Sequence, residues 1–327
     1  MNTKEQVLAL LEQNRGSAVS GETIAQALSV SRNAVWKAIR ALRDEGYQIE
    51  AGTNRGYSLA AETDILSVSG IRRHLPDPLS EYADRMRFFS EIGSTNETAK
   101  ELALAGAPHG TAVIAAAQTN GRGRYTRAFC SPAGGIYMSI ILHPEHLHFS
   151  QITAVTAFAA VAVCEAVEAV SGLHPQIKWV NDIFLGGKKI CGILTEAVTD
   201  FESGGLSWIV LGIGLNVCTP ADAFPPQLRD TAASVFPESA PPDAKNRMAA
   251  EILTRLLSPA PAQDALFSAY KARLLMPDNE ITVVPVGQRA AEYPALIRDL
   301  DSEGHLIVQL RSGEIRTLSS GEIRIRL

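Results

Sequence analysis

Apolar positions in the first sixty residues recur at helical spacing and then turn to strand spacing. Val7, Leu8, Leu10 and Leu11 mark a first helix that Gly16 closes. Ser20 is a good cap for a second, Gly21 to Leu28, with Ile24, Ala25 and Leu28 as its apolar positions. After Ser29-Val30-Ser31, a third helix runs from Arg32 to about Glu45, capped by Ser31 and striped by Val35, Ile39 and Leu42. Short extended runs, Tyr47 to Glu50 and Tyr57 to Leu59, flank the turn-forming stretch Ala51 to Gly56. Three helices and a hairpin make a winged helix-turn-helix.

Beyond the polar connection Ala60 to Thr63 the texture changes. Phe88-Phe89, Ala112 to Ala117, Gly135 to Leu142 and Ile209 to Gly214 read as strands, with an Ala-rich helix at 152–170 between them. Strands alternating with helices predict a mixed-sheet α/β or α+β domain. Amphipathic helices Asp243 to Leu257 and Asp264 to Leu275 end it. After Pro277, five short strands separated by Gly-containing turns begin at Ile281, Tyr293, His305, Glu314 and Ile323, the size of an SH3-like β-barrel. The expected domains are 1–62, 64–274 and 277–327, an α+β chain overall.

At 46% hydrophobic and 20% charged residues, the 327-residue chain has an ordinary globular composition. A net charge of -5 means that DNA binding must come from a local surface. Such a surface exists: the outward face of the third helix carries Arg32, Asn33, Lys37, Arg40 and Arg43, and the hairpin tip adds Asn54 and Arg55. The rival reading, a small helical domain that binds protein, rests on Glu5, Glu12, Glu22, Asp44, Glu45 and Glu50, which offset the cations. Cys130, Cys164, Cys191 and Cys218 form no CxxC pair, so neither zinc nor a disulfide framework is expected, and a reduced, cytoplasmic compartment fits. The N-terminus lacks the form of a signal peptide, and the apolar run Ile152 to Cys164 reads as a buried helix, too short to span a bilayer. His143, His146 and His148 cluster on a surface loop without metal-pair spacing.

Four segments of the middle domain carry candidate chemistry. In Gly121-Arg122-Gly123-Arg124, glycines let backbone amides approach an anion while arginines supply fork-shaped donors. The loop lacks the lysine and hydroxyl residue of a P-loop, and alone it is equally a solvated loop. Lys178-Trp179-Val180-Asn181-Asp182 gathers a cation, an indole, an amide and a carboxylate at a strand end, where at most one of Lys178 and Trp179 faces the core. Gly192-Ile193-Leu194-Thr195-Glu196 follows the turn Gly186-Gly187-Lys188-Lys189. Gly212-Ile213-Gly214-Leu215-Asn216 is an apolar strand whose glycines admit a ligand or backbone.

In this order, and with Ser94-Thr95-Asn96 before them, the segments resemble the biotin–protein ligase family over nearly the whole chain. The family's GRGRxGR…SPxGG/AxLYxS appears as GRGRYTRAFCSPAGGIYMS at Gly121 to Ser139, KWPND as KWVND, K-x-x-GIL-x-E as KKICGILTE, and GIGxN as GIGLN. The winged-helix front and a C-terminal barrel ending on Gly321-Glu322-Ile323 resemble the bifunctional ligase and biotin-operon repressor subclass.

The resemblance implies a class II synthetase-like catalytic domain that joins biotin to ATP as biotinyl-5′-AMP and passes biotin to a lysine of a biotin carboxyl carrier protein domain. Ser94, Thr95, Asn96 and Gln118 would bind the ureido group, and Gly121, Arg122, Gly123 and Arg124 the carboxylate and adenylate phosphate. Lys178 would contact the carboxylate or α-phosphate, and Asn181 and Asp182 would align Mg²⁺ or assist the amine. Gly192 and Asn216 complete the implied substrate site. Arg122, Arg124, Lys178 and Asp182 are the catalytic candidates; no protein nucleophile and no resident metal are expected. The implied partners are the carrier domain, operator DNA and a second copy in a homodimer favoured by the adenylate, with no membrane. Tyr125-Thr126 stand where the family has a basic residue and glycine, Phe129 where tryptophan is common, and Val180 where it has proline, a change that relaxes a turn. Rival readings are a lipoate- or octanoyl-transferring enzyme, a ligand-sensing transcription factor with an inactive ligase domain, and a ligase whose first domain is a relic.

Overall fold

The computed structural model describes residues 2–52, 56–147, 149, 151–199, 206–276, 280–285, 291–319 and 321–325. Its first unit is α1 (Thr3–Gln13), α2 (Gly21–Ala27), α3 (Arg32–Asp44) and the antiparallel pair β1 (Ile49–Gly52) and β2 (Gly56–Leu59). Ser20 and Ser31 accept hydrogen bonds from Thr23 N and Ala34 N, the two caps expected. Val7, Leu11, Ile24, Val35, Ile39, Leu42 and Leu59 form its core. Arg32, Asn33, Lys37 and Arg40 are exposed on the opposite face of α3. Arg43 differs from expectation: its guanidinium is spent on the Ile49 carbonyl, at 2.6 and 2.8 Å. Asn54 and Arg55 lie outside the described residues.

The central unit adds α4 (Val68–His74), β3 (Met86–Phe89), α5 (Thr95–Leu104), β4 (Ala112–Ala115), β5 (Gly135–Leu142), α6 (Ile152–Ser171), β6 (Gln176–Lys178), β7 (Asp182–Leu185), β8 (Lys188–Thr199), β9 (Leu206–Asn216), α7 (Ala244–Leu257) and α8 (Gln263–Ala272). Its seven strands run in the order β3-β4-β5-β9-β8-β7-β6, and β3 and β4 make the parallel pair in the otherwise antiparallel sheet. The mixed sheet is the one expected. Side-chain alternation divides β9 between two environments: Leu211, Ile213 and Leu215 enter the main core beneath α6 and α7, while Val210 packs against Ala99 and Ala103 of α5. Helix α6 has 20 residues, so its length does not exclude a bilayer span as the shorter apolar run suggested. Its burial against the sheet, α7 and α8 marks it as a core helix instead. Lys188 and Lys189 belong to β8 rather than to a turn: Leu185 pairs with Lys188, and Gly186 and Gly187 alone make the connection, at φ +56° and +78°.

The C-terminal unit is β10 (Ile281–Val284), β11 (Tyr293–Leu300), β12 (Leu306–Leu310), β13 (Ile315–Leu318) and β14 (Glu322–Ile325), an antiparallel sheet in the order β13-β12-β11-β10-β14. Among the described residues β13 and β14 do not pair with each other, so the sheet is not a closed barrel.

A buried charge cluster ties the first unit to the central one. Arg15, beyond α1, meets Glu12 at 2.8 Å and Asp243, before α7, at 3.2 Å, and donates to the Thr63 carbonyl at 2.7 Å. Arg73 of α4 pairs with both acids, and His74 and Asn246 also bond Asp243. Burial alone would raise the Asp243 pKa, but His74, Asn246 and the two arginines hold it below the ordinary carboxylate value. Removing the central cation leaves Glu12 to Arg73 alone and Asp243 to Arg73, His74 and Asn246, the loss of a shared partner, about 1–3 kcal/mol. Arg15→Met is therefore expected to lower stability to urea by that order and to free the first unit as a separate early transition. A single transition shifted by less than ~1 kcal/mol would contradict this role.

Candidate functional site

The site is built where α5 begins against the glycines of β9. A Cβ at Gly212 would lie 2.1 Å from Asn96 Oδ1, and one at Gly214 would lie 2.4 Å from the Phe129 ring. The missing side chains are the space that Asn96 and Phe129 occupy. A cavity opens there, lined by Ser94, Thr95, Asn96, Gln118, Arg122, Gly123, Arg124, Lys178, Asn181, Asp182 and Gly192, which the sequence singled out. Gly121 stands behind it, where a Cβ would strike the Phe129 carbonyl at 2.4 Å, so glycine is required there for loop packing. Asn216 does not reach the cavity: it is buried and its Nδ2 donates to the Ala233 carbonyl at 3.1 Å, holding the segment after β9.

A continuous polar chain orients the wall. Gln118 Oε1 accepts from both the Thr95 amide (2.8 Å) and the Thr95 hydroxyl (3.1 Å), satisfying one of the open donors at the α5 N-terminus. Its Nε2 donates to Ser131, whose hydroxyl reaches the Phe129 carbonyl. Ser139 lies 2.8 Å from Thr95 Oγ1 and donates to Asn96 Oδ1 at 2.6 Å. Asn96 Nδ2 donates in turn to Glu196 at 2.8 Å, and Lys100 meets the other Glu196 oxygen at 3.2 Å. Asn96 can take only one amide orientation in this chain, because Ser139 needs an acceptor and Glu196 a donor. Sequence reading missed Ser139, Glu196 and Lys100 as parts of the site; Glu196 closes the K-x-x-GIL-x-E pattern, which was the available signal.

The glycine–arginine loop is a tight hairpin, with Arg122 bridged to Ala128, the Gly123 amide on the Arg127 carbonyl at 2.7 Å, and the Phe129 amide on the Gly121 carbonyl at 2.9 Å. Tyr125 at its tip has φ +55°, a left-handed conformation unusual for an aromatic residue. Its hydroxyl accepts from Arg124 at 2.9 Å, and Arg124 also reaches Asn181 Oδ1 at 3.3 Å and the Gly321 carbonyl at 3.5 Å. Arg122 pairs with Glu97 of α5 at 2.9 Å. Lys100 foremost, with Arg122, holds the Glu97 carboxyl below its ordinary pKa.

The opposite wall is the turn between β6 and β7, with Lys178 paired across it to Asp182. Trp179 is the core-facing member: it is buried and its indole donates to the Gly304 carbonyl of the C-terminal unit at 3.1 Å. The Trp179–Val180 peptide is cis. Lys178 places its ammonium 5.5 Å from the Phe184 ring centre. Asn181 donates to the Ile193 carbonyl at 2.7 Å. Lys189, the lysine of the K-x-x-GIL-x-E pattern that was also read as part of the preceding turn, lines the cavity, meets Asp182 at 2.6 Å and lies 5.7 Å from the Phe129 ring centre. Ile323 of β14 closes the cavity from the C-terminal side. Among the described residues, five cations line this space (Arg122, Arg124, Arg127, Lys178, Lys189) against the single carboxylate of Asp182. Such an excess suits a polyanion.

Away from the site, His143 and His146 gather around His109, whose ring centre lies 4.2 Å from that of His146. Burial first, then His146 and His143, push the His109 pKa down to about 4. His148 lies outside the described residues. Among the described residues no group of three potential ligands forms a metal site.

Comparison with known proteins agrees with this geometry. Residues 88–216 match the Biotin/lipoate A/B protein ligase family, residues 3–58 an HTH domain and residues 286–326 the Biotin protein ligase C terminal domain. A bifunctional ligase/repressor BirA of Bacillus spizizenii is 41% identical over 233 residues, covering 71% of this chain and 70% of that one. The bifunctional ligase/repressor BirA of Escherichia coli is 27% identical over 98% of this chain and 96% of its own. The fold is also that of the biotin protein ligase of Aquifex aeolicus solved with biotin and ATP, at TM-score 0.62 and 24% identity, over 74% of this chain and 98% of the other. A catalytic unit with this cavity, a helix-turn-helix before it and the ligase C-terminal domain after it place the chain in the biotin protein ligase family, among its bifunctional ligase/repressors.

Proposed function

We propose that the chain activates biotin with ATP as biotinyl-5′-AMP, transfers the biotinyl group to a lysine of a biotin carboxyl carrier protein domain, and represses transcription by binding operator DNA. The observation that carries the ligase reading is the cavity itself, where a neutral hydrogen-bonding wall faces a cationic one across a glycine floor. Thr95, Asn96 and Gln118 offer fixed neutral donors and acceptors for an uncharged cyclic urea. Arg122, Arg124, Lys178 and Lys189 face the carboxylate and the phosphates.

In the first step the biotin carboxylate attacks the α-phosphorus, a P–O bond forms, and pyrophosphate leaves. In the second the carrier amine attacks the acyl carbon, AMP leaves and the amine loses a proton. Neither step needs a nucleophile from the protein. Its contribution is to hold the anions in line and stabilise charge developing on phosphoryl oxygens. The cavity is a poor resident magnesium site, because Lys189 already takes Asp182, and Asn181 is shared by Arg124 and the Ile193 carbonyl. Mg²⁺ belongs instead with ATP, carried on the nucleotide's own phosphates. Asp182 then acts through Lys189, or on the incoming amine.

The units are assigned as residues 1–62 for DNA binding, 64–274 for catalysis and 277–327 for the C-terminal domain. The last has the strand number and turns of an SH3-like barrel. Arg32, Asn33, Lys37 and Arg40 form the DNA-facing surface. The DNA-binding form is a homodimer favoured by the adenylate, which requires the adenylate to bind dimer better than monomer. The site of action is the cytoplasm.

With biotin, ATP and a carrier domain, the carrier is expected to gain the mass of one biotinyl group, with pyrophosphate release dependent on biotin. Lipoate in place of biotin is expected to give neither signal, and no pyrophosphate release with biotin would overturn the ligase reading. Arg124→Ala is expected to lower the rate of pyrophosphate release by about 10²–10³-fold, the worth of a preorganised donor at developing charge. Asp182→Ala separates the roles left to that carboxylate: slowed adenylate formation marks action through Lys189, slowed transfer marks action on the amine, and normal rates in both remove Asp182 from catalysis. Glu196→Gln replaces an acceptor with an amide that can present its donor to Asn96, so the KM for biotin is expected to rise by about tenfold, or ~1.4 kcal/mol, with kcat little changed. An unchanged KM would show that Asn96 needs no orientation by Glu196.

A further inference from the structure

Among the described residues, Trp36 is the large apolar side chain that the fold of the first unit does not use. It is 50% exposed on α3, whereas Trp179 and Trp208, the other two tryptophans of the chain, are only 4% and 8% exposed. The buried stripe of α3 is Val35, Ala38, Ile39 and Leu42, so Trp36 stands on the face turned away from the core. It shares that face with exposed Arg32, Asn33, Lys37 and Arg40, and Arg32 and Arg40 lie one helical turn before and after it. The guanidinium of Arg40 lies 5.8 Å from the indole ring centre, a cation–π arrangement that restricts both side chains. An apolar protein partner covering Trp36 would have to bury the surrounding cations without counter-charges, which is costly. A nucleic-acid duplex removes that conflict, since its phosphates take the cations while an apolar group in the groove meets the indole.

We propose that Trp36 is a base-reading contact, its indole packing on the C5-methyl groups of thymine in the major groove while Arg40 braces it. Thymine alone among the four bases presents a methyl group there, so an apolar side chain at this position distinguishes T·A pairs without a hydrogen bond. The location suits the role. Trp36 is the fifth residue of a helix that begins at Arg32, in the N-terminal half that recognition helices present to base edges. Asp44, the acid of this helix, and Glu45, its C-cap, lie at its far end. The proposal rests on the DNA-binding reading of the first unit and adds to it the chemistry of one contact.

The test uses duplexes selected from a random-sequence pool by the full-length protein in the presence of biotin and ATP, then resynthesised with uracil in place of thymine. Wild type is expected to lose about fourfold in affinity for each contacted methyl group removed, the equivalent of about 0.8 kcal/mol. Trp36→Ala is expected to bind the thymine duplex about tenfold more weakly, or ~1.4 kcal/mol, and to be indifferent to uracil. Trp36→Phe is expected to retain part of the methyl preference. The accessible fraction of tryptophan emission, read by acrylamide quenching, is expected to become protected when duplex is added. Wild-type indifference to uracil, or unchanged affinity and methyl preference in Trp36→Ala, overturns the proposal while leaving DNA binding intact. Failure of the wild-type protein to select any duplex overturns the DNA reading, and the Trp36 contact with it.

Discussion

The distance between α5 and β9 is the constraint on which the rest of the site depends. A methyl group on residue 212 or 214 would occupy the space of the Asn96 amide or the Phe129 ring, so neither could lie on the sheet. With the glycines in place, the α5 N-terminus approaches closely enough for Gln118 and Ser139 to bind Thr95 and Asn96 together. That contact fixes the neutral wall, and through Ser131 it also fixes the base of the arginine hairpin. Glycine here acts by absence: the residues most diagnostic in sequence are those that leave room for others.

Much of the architecture was legible because its signals are local. Ser20 and Ser31 cap α2 and α3 as read, and the stripe of Val35, Ile39 and Leu42 is the buried face. Strand β5 spans the residues expected. The cavity residues were legible as motifs, but their connections were not. Ser139 and Glu196 lie 43 and 100 residues from Asn96, and nothing local predicts their hydrogen bonds. Lys189 was legible as the lysine of K-x-x-GIL-x-E but was also assigned to a four-residue turn, whereas Gly186-Gly187 alone make the turn and put the lysine on β8. Asn216 failed in the opposite direction. It belongs to a recognisable motif, yet at the end of β9 its amide turns to the Ala233 carbonyl rather than to the cavity.

The departures of the arginine loop from its family pattern are intelligible in the same terms. Tyr125 takes a left-handed backbone at a position where its hydroxyl receives Arg124. The loop thus gains a side-chain acceptor for the arginine it carries. Phe129, smaller than the tryptophan common there, still lies close to Gly192 and Gly214 and beside the Lys189 ammonium. The contact of Arg124 with Gly321, the bond from Trp179 to Gly304 and the position of Ile323 draw the C-terminal sheet into the wall of the cavity. Two sheets therefore share one site, and the loop is held between them.

Concentrating cations in so small a space carries an electrostatic cost that the chain itself offsets. Arg122 is paired with Glu97, Lys189 with Asp182, and Arg124 with the neutral oxygens of Asn181, Tyr125 and Gly321. The two carboxylates stand where substrate anions would compete for the same donors. Bound phosphates would not have to assemble a cationic site from mobile side chains, because each cation is already ordered by a partner that a stronger anion can share or displace. Preorganisation of this kind lowers the reorganisation needed as charge builds on the phosphoryl oxygens. It also separates the two walls by function: the neutral wall is fixed by hydrogen bonds that a ligand need not break, whereas the cationic wall is held by ion pairs that can exchange. A site with those properties recognises an uncharged ring by shape and hydrogen bonding, and activates the carboxylate attached to it by charge.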